Sequence, residues 1–118
     1  MRATVKYFHS PDIADLSNYK PDRADCFAFL LQIIVGPENS DGEESFDVTV
    51  VTPLWLIENH NKEDIVIGRH YLVVFRYDFS ALANFISSYI SQNIGETWDE
   101  IACYLSRLGK WEFEDYVS

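Results

Sequence analysis

Alternating apolar and polar residues in the first half of the chain predict three β-strands. Residues 2–8 and 45–51 alternate and are rich in β-forming side chains. Residues 26–35 are apolar on both faces, which is typical of a central strand in a covered sheet. The acidic loop before residue 45 contains the turn signal Asp41-Gly42, so the second and third strands are predicted to form a hairpin with an acidic tip.

Shorter signals lie between and after these strands. One helical turn is predicted around residues 13–16. Thr52 and Pro53 suit the N-cap and the first position of a helix of about two turns. One or two further strands are predicted within residues 64–78, with a break at Gly68.

Two longer helices are predicted near the C-terminus. The first covers residues 79–94, begins after the N-cap Asp78 and ends at Gly95. The second begins with a capping box, in which the Thr97 hydroxyl and the Glu100 carboxylate each accept a bond from a free backbone N–H, and it ends at Gly109. Each helix has one apolar face, so both are expected to pack against the sheet.

The stretch GKWEFEDY after the last helix alternates aromatic and acidic side chains. In an extended conformation, Trp111 and Phe113 point to one face while Glu112 and Glu114 point to the other. Chain ends fray unless they are tied down, and burial of one such ring is worth about 2 kcal/mol. We therefore predict a final strand that ends near Tyr116, with its two rings largely buried and its carboxylates on the outer face.

These elements occur in the order β–β–β–α–β–α–α–β, without an internal repeat or linker. The order predicts an α+β fold with one domain over residues 1–118. In this fold a mostly antiparallel sheet is covered on one face by the two C-terminal helices, and a short helix follows the third strand.

The charge of the chain is strongly negative and unevenly distributed. Nineteen acidic residues face nine lysines and arginines, which gives a net charge of −10, and residues 24–61 contain no lysine or arginine. Such a surface repels nucleic acids and anionic membranes and attracts a basic protein. The alternative explanation is that the acidity only keeps a small protein in solution.

Apolar runs and cysteines bear on the cellular location. The longest apolar run, residues 26–35, is far shorter than the ~20 residues that span a bilayer, and the N-terminal residues lack the pattern of a secretory signal. We therefore expect a soluble cytoplasmic protein. In such a protein Cys26 and Cys103 are expected to be buried thiols and not a disulfide.

Residues able to carry chemistry are few and scattered. The three histidines, at positions 9, 60 and 70, are not spaced as metal ligands. The chain contains no nucleophile elbow, phosphate-binding glycine loop or zinc motif. No catalytic residue, metal or cofactor is therefore expected.

Several stretches of the chain resemble a known family. The segments ESFDVTVVTPLWL, GRHYLVVFRYD and GETWDEIACYLSRLGKWEFEDY together resemble the immunity protein 8 family of bacterial polymorphic toxin systems, and the likeness covers nearly the whole chain. The resemblance implies a small cytoplasmic antidote without enzymatic activity or cofactor, which binds and neutralises a toxin domain. It transfers no residue-level binding site to this sequence.

Charge and resemblance together favour an immunity protein that occludes its toxin stoichiometrically. An acidic surface has the polarity to occupy the basic cleft of a nuclease, so a nuclease is one expected toxin class. A small acidic regulatory or scaffold module with another protein partner is the alternative, and a small enzyme is a third. The sequence leaves the oligomeric state open.

Two acidic clusters are candidate partner-binding surfaces. The tail cluster comprises Glu112, Glu114, Asp115 and Tyr116, with Asp47 and Thr49 on a neighbouring strand. The hairpin-tip cluster comprises Asp41, Glu43 and Glu44. The tip contains Gly42 and is predicted to be mobile, so it loses entropy on docking, and the tail is favoured for that reason. The alternative is that both clusters are only solvated surface.

Overall fold

The computed structural model describes residues 1–114, so the predicted contact residues Asp115 and Tyr116 lie outside the described residues. Within that range the elements are β1 (Ala3–His9), β2 (Ala28–Pro37), β3 (Glu44–Val51), α1 (Pro53–Asn59), β4 (Tyr71–Val73), α2 (Phe79–Ser91), α3 (Trp98–Leu105) and β5 (Lys110–Trp111). This order confirms the predicted α+β fold class and the short helix after the third strand.

The strands form one sheet in which β3 has the most neighbours. β1, β2 and β3 are antiparallel to one another, and β2 lies between the other two, as its apolar pattern predicts. The other edge of β3 is shared by two short strands. β4 runs parallel to its C-terminal end, and β5 runs antiparallel near its N-terminal end. The sheet is therefore mostly antiparallel, and the crossover through α1 accounts for the parallel pair.

The two C-terminal helices cover one face of this sheet. Alternate residues of β2 and β3 point to that face and are buried, namely Phe29, Leu31, Ile33, Val35, Phe46, Val48 and Val50. They belong to one apolar core with the buried faces of α2 and α3, which contribute Leu82, Ile86, Ile90, Ile101, Ala102 and Leu105. The period-2 and period-3.6 patterns thus meet in a single core.

The predicted helix starts are confirmed. The side chains of Thr52, Asp78 and Thr97 accept backbone N–H bonds at 3.3, 3.1 and 3.2 Å, each from the residue three positions later. The capping box differs in one detail, because the Glu100 carboxylate accepts from the N–H of Glu96 at 3.3 Å and not from that of Thr97.

The end of α2 differs from the prediction. The helix stops at Ser91 and not at residue 94. Ile94 forms a β-bridge with Arg2, and the Gly95 N–H donates to the Met1 carbonyl at 3.2 Å. These bonds to the N-terminal segment draw the last predicted residues out of the helix, so Gly95 does not cap it.

The segment predicted as one or two strands over residues 64–78 contains only the three residues of β4. Ile65 and Ile67 alternate like strand residues, but they lie in an irregular segment and are exposed. His70 then has a positive φ of 65° immediately before β4. This left-handed conformation, which costs about 1 kcal/mol in a non-glycine residue, redirects the chain into the short parallel pairing.

The tail pairs as predicted, but over fewer residues. β5 has two residues, and a turn follows it in which the Glu114 N–H donates to the Trp111 carbonyl at 2.9 Å. Trp111 is half-buried and stacks on Phe46, whereas Phe113 is 41% exposed. The prediction of a largely buried Phe113 is therefore wrong, because the turn ends the alternation before that residue.

Two smaller predictions are also wrong. Residues 13–16 form no helical turn, although Ile13 is buried in the core. Cys26 is half-buried and Cys103 is exposed, so the prediction that they are buried is wrong, although both are free thiols as predicted. Cys26 lies at the sheet end, where its thiol donates to the Glu58 carboxylate at 2.9 Å, and this bond raises the pKa of the thiol.

Among the described helices, none has the length and apolar character of a membrane span.

Candidate partner-binding surface

The two predicted acidic clusters meet at one end of the sheet. Glu44, the first residue of β3, accepts a hydrogen bond from the indole Nε1–H of Trp111 at 2.8 Å and another from the indole of Trp98. One carboxylate therefore joins β3 to both α3 and β5. Glu44 is half-buried beside these rings, so we assign its carboxylate a structural role.

The tail acid Glu112 is tied to the same place. Its carboxylate accepts from the Ser45 N–H at 3.0 Å, and its own N–H donates to the Ser45 carbonyl at 3.1 Å. This reciprocal pair of hydrogen bonds extends the β3–β5 pairing by one residue. The tail carboxylates thus fasten the chain end together with the aromatic ring of Trp111, although the alternation pattern predicted only that they lie on the outer face.

Glu114, the last described residue, makes a third contact that holds the tail. Its carboxylate lies 2.6 Å from the Arg69 guanidinium and 3.9 Å from His70 Nε2, and its side chain is only 17% exposed. The His70 ring donates to the Ser106 carbonyl at 2.8 Å, and the backbone carbonyl of His70 accepts from the Thr49 N–H at 2.9 Å. The strained residue before β4 is therefore held by α3, β3 and the tail together.

Asp47 lies beside the tail in the middle of the sheet. It faces Gln32 on β2 and Lys110 on β5 in the strand register. Burial raises the pKa of its carboxyl and the nearby Glu112 adds to this, whereas the Gln32 amide and Lys110 act against it. Its Oδ1 atom is buried without a hydrogen-bond partner among the described residues. Asp47 is thus a poorly compensated charge at the edge of the candidate surface.

The hairpin tip is packed against the first strand. The Lys6 ammonium donates to the Ser40 carbonyl at 2.8 Å, and the Glu38 N–H donates to the Arg2 carbonyl at 2.9 Å. A Cβ atom on Gly36 would lie 1.8 Å from the carbonyl oxygen of Gly42, so the tip folds back closely enough to require a glycine there. Several backbone contacts therefore hold the loop that the sequence predicts to be mobile.

These contacts bring three segments together into what we call the acidic end, comprising the hairpin tip (38–44), the start of α3 (96–100) and the described tail (110–114). The acidic end contains nine carboxylates and one lysine. Seven of the carboxylate residues are exposed, namely Glu38, Asp41, Glu43, Glu96, Asp99, Glu100 and Glu112. The two clusters that compete in the sequence thus belong to one surface.

The acids at the start of α3 are the members that the sequence did not indicate. Their spacing marks a helix N-terminus, which explains them locally. The bond from Trp98 to Glu44 places them beside the hairpin tip, and these two residues are 54 positions apart. No local pattern could have shown that proximity.

Within residues 1–114 the side chains form no group of three or more His, Cys, Asp or Glu residues placed to hold a metal ion. The exposed carboxylates of the acidic end are spread over three segments and do not converge on a pocket. Such an arrangement can steer and contact a basic macromolecule over a broad area.

Comparison with known proteins gives one family match. The model of the family described as Immunity protein 8 matches residues 3–116 of the 118-residue chain, which confirms the resemblance seen in the sequence. No curated protein and no solved structure matches the chain.

Replacement of Trp111 by Ala should lower the free energy of unfolding by about 2–4 kcal/mol, because it removes a half-buried ring and leaves Glu44 with one donor fewer. The matched change Phe113→Ala removes a more exposed ring and should cost about 1 kcal/mol or less. Urea unfolding of both variants measures the difference. Equal losses, or no loss for Trp111→Ala, would contradict the role given to Trp111.

Replacement of Asp47 by Asn should stabilise the protein at neutral pH by about 1 kcal/mol, since it removes a charge that burial disfavours. The folded state holds the Asp47 proton more tightly than the unfolded chain, whose carboxyl titrates near 3.8. The gain should therefore be absent below that pH and increase as the pH rises above it. Thermal melts over this range test the effect, with the exposed Asp22→Asn as control, and a destabilised Asp47→Asn protein at pH 7 would refute it.

Proposed function

The chain belongs to the immunity protein 8 family, and from that membership we propose that it binds a cognate bacterial toxin domain and neutralises it by stoichiometric occlusion. The family match supports the class of function. We infer the kind of partner from the nine carboxylates that lie together at one end of the sheet, around the Glu44 contact. The partner surface is accordingly basic.

A toxin that cleaves nucleic acid fits this surface best. Its substrate is a polyanion, so its cleft is lined with cations, and an acidic protein that enters the cleft replaces the substrate charge for charge. Long-range attraction speeds the encounter of two such surfaces, whereas contacts that exclude water slow the release. An inhibitor that has to intercept a toxin benefits from both effects.

The acids of the surface divide into two groups by their contacts. Among the described residues, the side chains of Asp41, Glu43 and Asp99 have no hydrogen-bond or ion-pair partner, and all three are exposed. These charges are free to meet a cation of the toxin. Glu44 and Glu114 are occupied by intramolecular contacts, so we assign them the role of holding the surface in shape.

The remaining predicted contact residues lie at the borders of this surface. Glu112 is exposed although its carboxylate also binds Ser45, and Asp47 and Thr49 follow on the open face of β3. Asp115 and Tyr116 continue the chain from Glu114 and stay predicted members. We propose no catalytic role, metal or cofactor for any of these residues, and we place the protein in the cytoplasm, where a toxin-producing cell needs the antidote.

The purified protein should neutralise its toxin at one-to-one stoichiometry without added metal or nucleotide. The toxin to test is any C-terminal toxin domain that a gene adjacent to this one encodes, and titration of its activity gives the equivalence point. A complex of equal parts in sedimentation or light scattering supports occlusion. Neutralisation by a small fraction of an equivalent would instead indicate turnover and would make the protein an enzyme.

Reversal of charge at the free acids should slow association with the toxin. In Asp41→Lys with Glu43→Lys, the association rate constant should decrease several-fold at low salt, and the defect should shrink as the Debye length falls to about 8 Å at physiological ionic strength. Stopped-flow fluorescence measures the rate.

The matched control is Asp22→Lys with Glu63→Lys, which changes the net charge equally at exposed positions outside the acidic end. It should have the smaller effect. Equal defects in both double variants would show that only net charge matters. Normal association of the hairpin variant would mean that the acidity serves solubility and that the contact surface lies elsewhere.

A further inference from the structure

The sheet has an open edge at β4. Thr49 donates to the His70 carbonyl and Val74 donates to the Val51 carbonyl, so the even-numbered residues of this stretch bond to β3. The N–H and C=O of Val73 then point away from β3, and within residues 1–114 no backbone group accepts or donates there. An open strand edge is a template for another strand.

Apolar side chains surround this edge. We call them the open-edge patch, comprising Ile57, Val66, Val73, Phe75 and Phe85. Val73 lines two neighbouring clefts of about 370 and 530 Å³, one toward Phe75 and Phe85 of the α2 side, the other toward Ile57 and Val66 of the α1 side. The clefts therefore make the patch continuous across the strand edge.

The patch is as large as the largest apolar patch of a typical monomer. Phe75 is 76% exposed and Ile57 is 71% exposed. At roughly 150–250 Å² for a fully exposed large side chain, the five side chains together expose about 500 Å². The largest apolar patch on a typical monomer is about 300–600 Å² and is often functional. Two such patches face to face bury about 1,000 Å² in total, which is the size of a weak, specific interface.

Charge distinguishes this surface from the acidic end. Residues 56–78, which contain β4 and most of the patch, carry four acids and three lysines or arginines in a chain of net charge −10. β3 separates the two surfaces, because Glu44 begins the strand and Val51 pairs with Val73 at its other end. Seven residue steps of a strand place Glu44 about 23 Å from Val51, which is beyond the ~8 Å Debye length at physiological salt. Glu114, the acid of the acidic end that lies nearest β4, is neutralised by its ion pair with Arg69.

We propose that the open-edge patch is a self-association surface, at which a second copy of this chain pairs with β4. A second copy of a −10 protein is repelled by the net charge, but at this edge the local charge is nearly balanced and salt screens the acidic ends from each other. In a two-fold arrangement the same patch serves both copies, so Val73 pairs across the axis and Phe75 of each copy packs against the cleft of the other. The acidic ends stay free for the toxin.

The test is sedimentation equilibrium of the full chain and of two variants with the same change of charge. Phe75→Lys places a cation in the patch, whereas Ile94→Lys places one at an exposed apolar residue beside Arg2, outside the patch. The unaltered protein and Ile94→Lys should form a dimer whose dissociation constant decreases as salt rises. In Phe75→Lys that constant should increase roughly tenfold or more.

Phe85→Lys, on the exposed side of α2, provides a second variant in case Phe75→Lys fails to fold. Hydrogen exchange gives an independent reading, because the Val73 amide should be protected in the dimer and exchange freely in the Phe85→Lys protein. Both lysine variants should bind and neutralise the toxin as the unaltered protein does, so that failure of the dimer and failure of the toxin-binding proposal give different results.

Three outcomes would overturn the proposal. The first is a protein that stays monomeric at all salt and protein concentrations, and the second is equal dimerisation of Phe75→Lys and Ile94→Lys. The third is protection of Val73 that does not depend on concentration and disappears when residues 115–118 are deleted, which would make the chain's own tail the occupant. Loss of toxin binding in both lysine variants of a monomeric protein would identify the patch as a toxin contact instead.

Discussion

The Glu44 carboxylate, held between the indoles of Trp98 and Trp111, is the contact on which this end of the molecule depends. It uses both oxygens of one ion to connect the start of β3 with α3 and with β5. Ionised acceptors form stronger hydrogen bonds than neutral ones, and two donors compensate much of the cost of partly burying the charge. A chain rich in acids has therefore used one of them as an internal link.

The same contact makes the distribution of the other acids possible. Exposed carboxylates on three segments repel one another, and self-repulsion of this kind weakens a compact state. Here the segments are kept together by packing of Trp111 on Phe46, by the Ser45–Glu112 pair and by the Arg69–Glu114 ion pair. A basic partner relieves the repulsion when it binds. The stored repulsion is then one reason for a basic partner to be preferred over a neutral one.

Local sequence signals predicted what depends on neighbours along the chain. Alternation gave the core face of β3, and Thr52, Asp78 and Thr97 gave the helix starts, because a cap acts within one turn. Three features differ from the predictions. α2 ends early because Ile94 pairs with Arg2. Phe113 is exposed because a turn follows Trp111, and the segment before β4 is irregular where His70 takes a positive φ. The first is a pairing across the fold, whereas the other two are local backbone conformations, and periodicity encodes neither. The acidic end was predicted as two competing halves for the same reason.

β3 relates the two surfaces of the molecule. Its first residue anchors the acidic end, and its last residues pair with β4 at the open edge, so a rigid strand separates a charged surface from an apolar one. Added salt screens the attraction between the acidic end and a cation-rich partner, so it weakens that contact. It also screens the repulsion between two like-charged copies, so it strengthens contact at the open edge. A two-fold pair about β4 would present two acidic ends on one particle. Such a particle would attract a basic partner from farther away than a single chain, and each acidic end would remain free for its own partner.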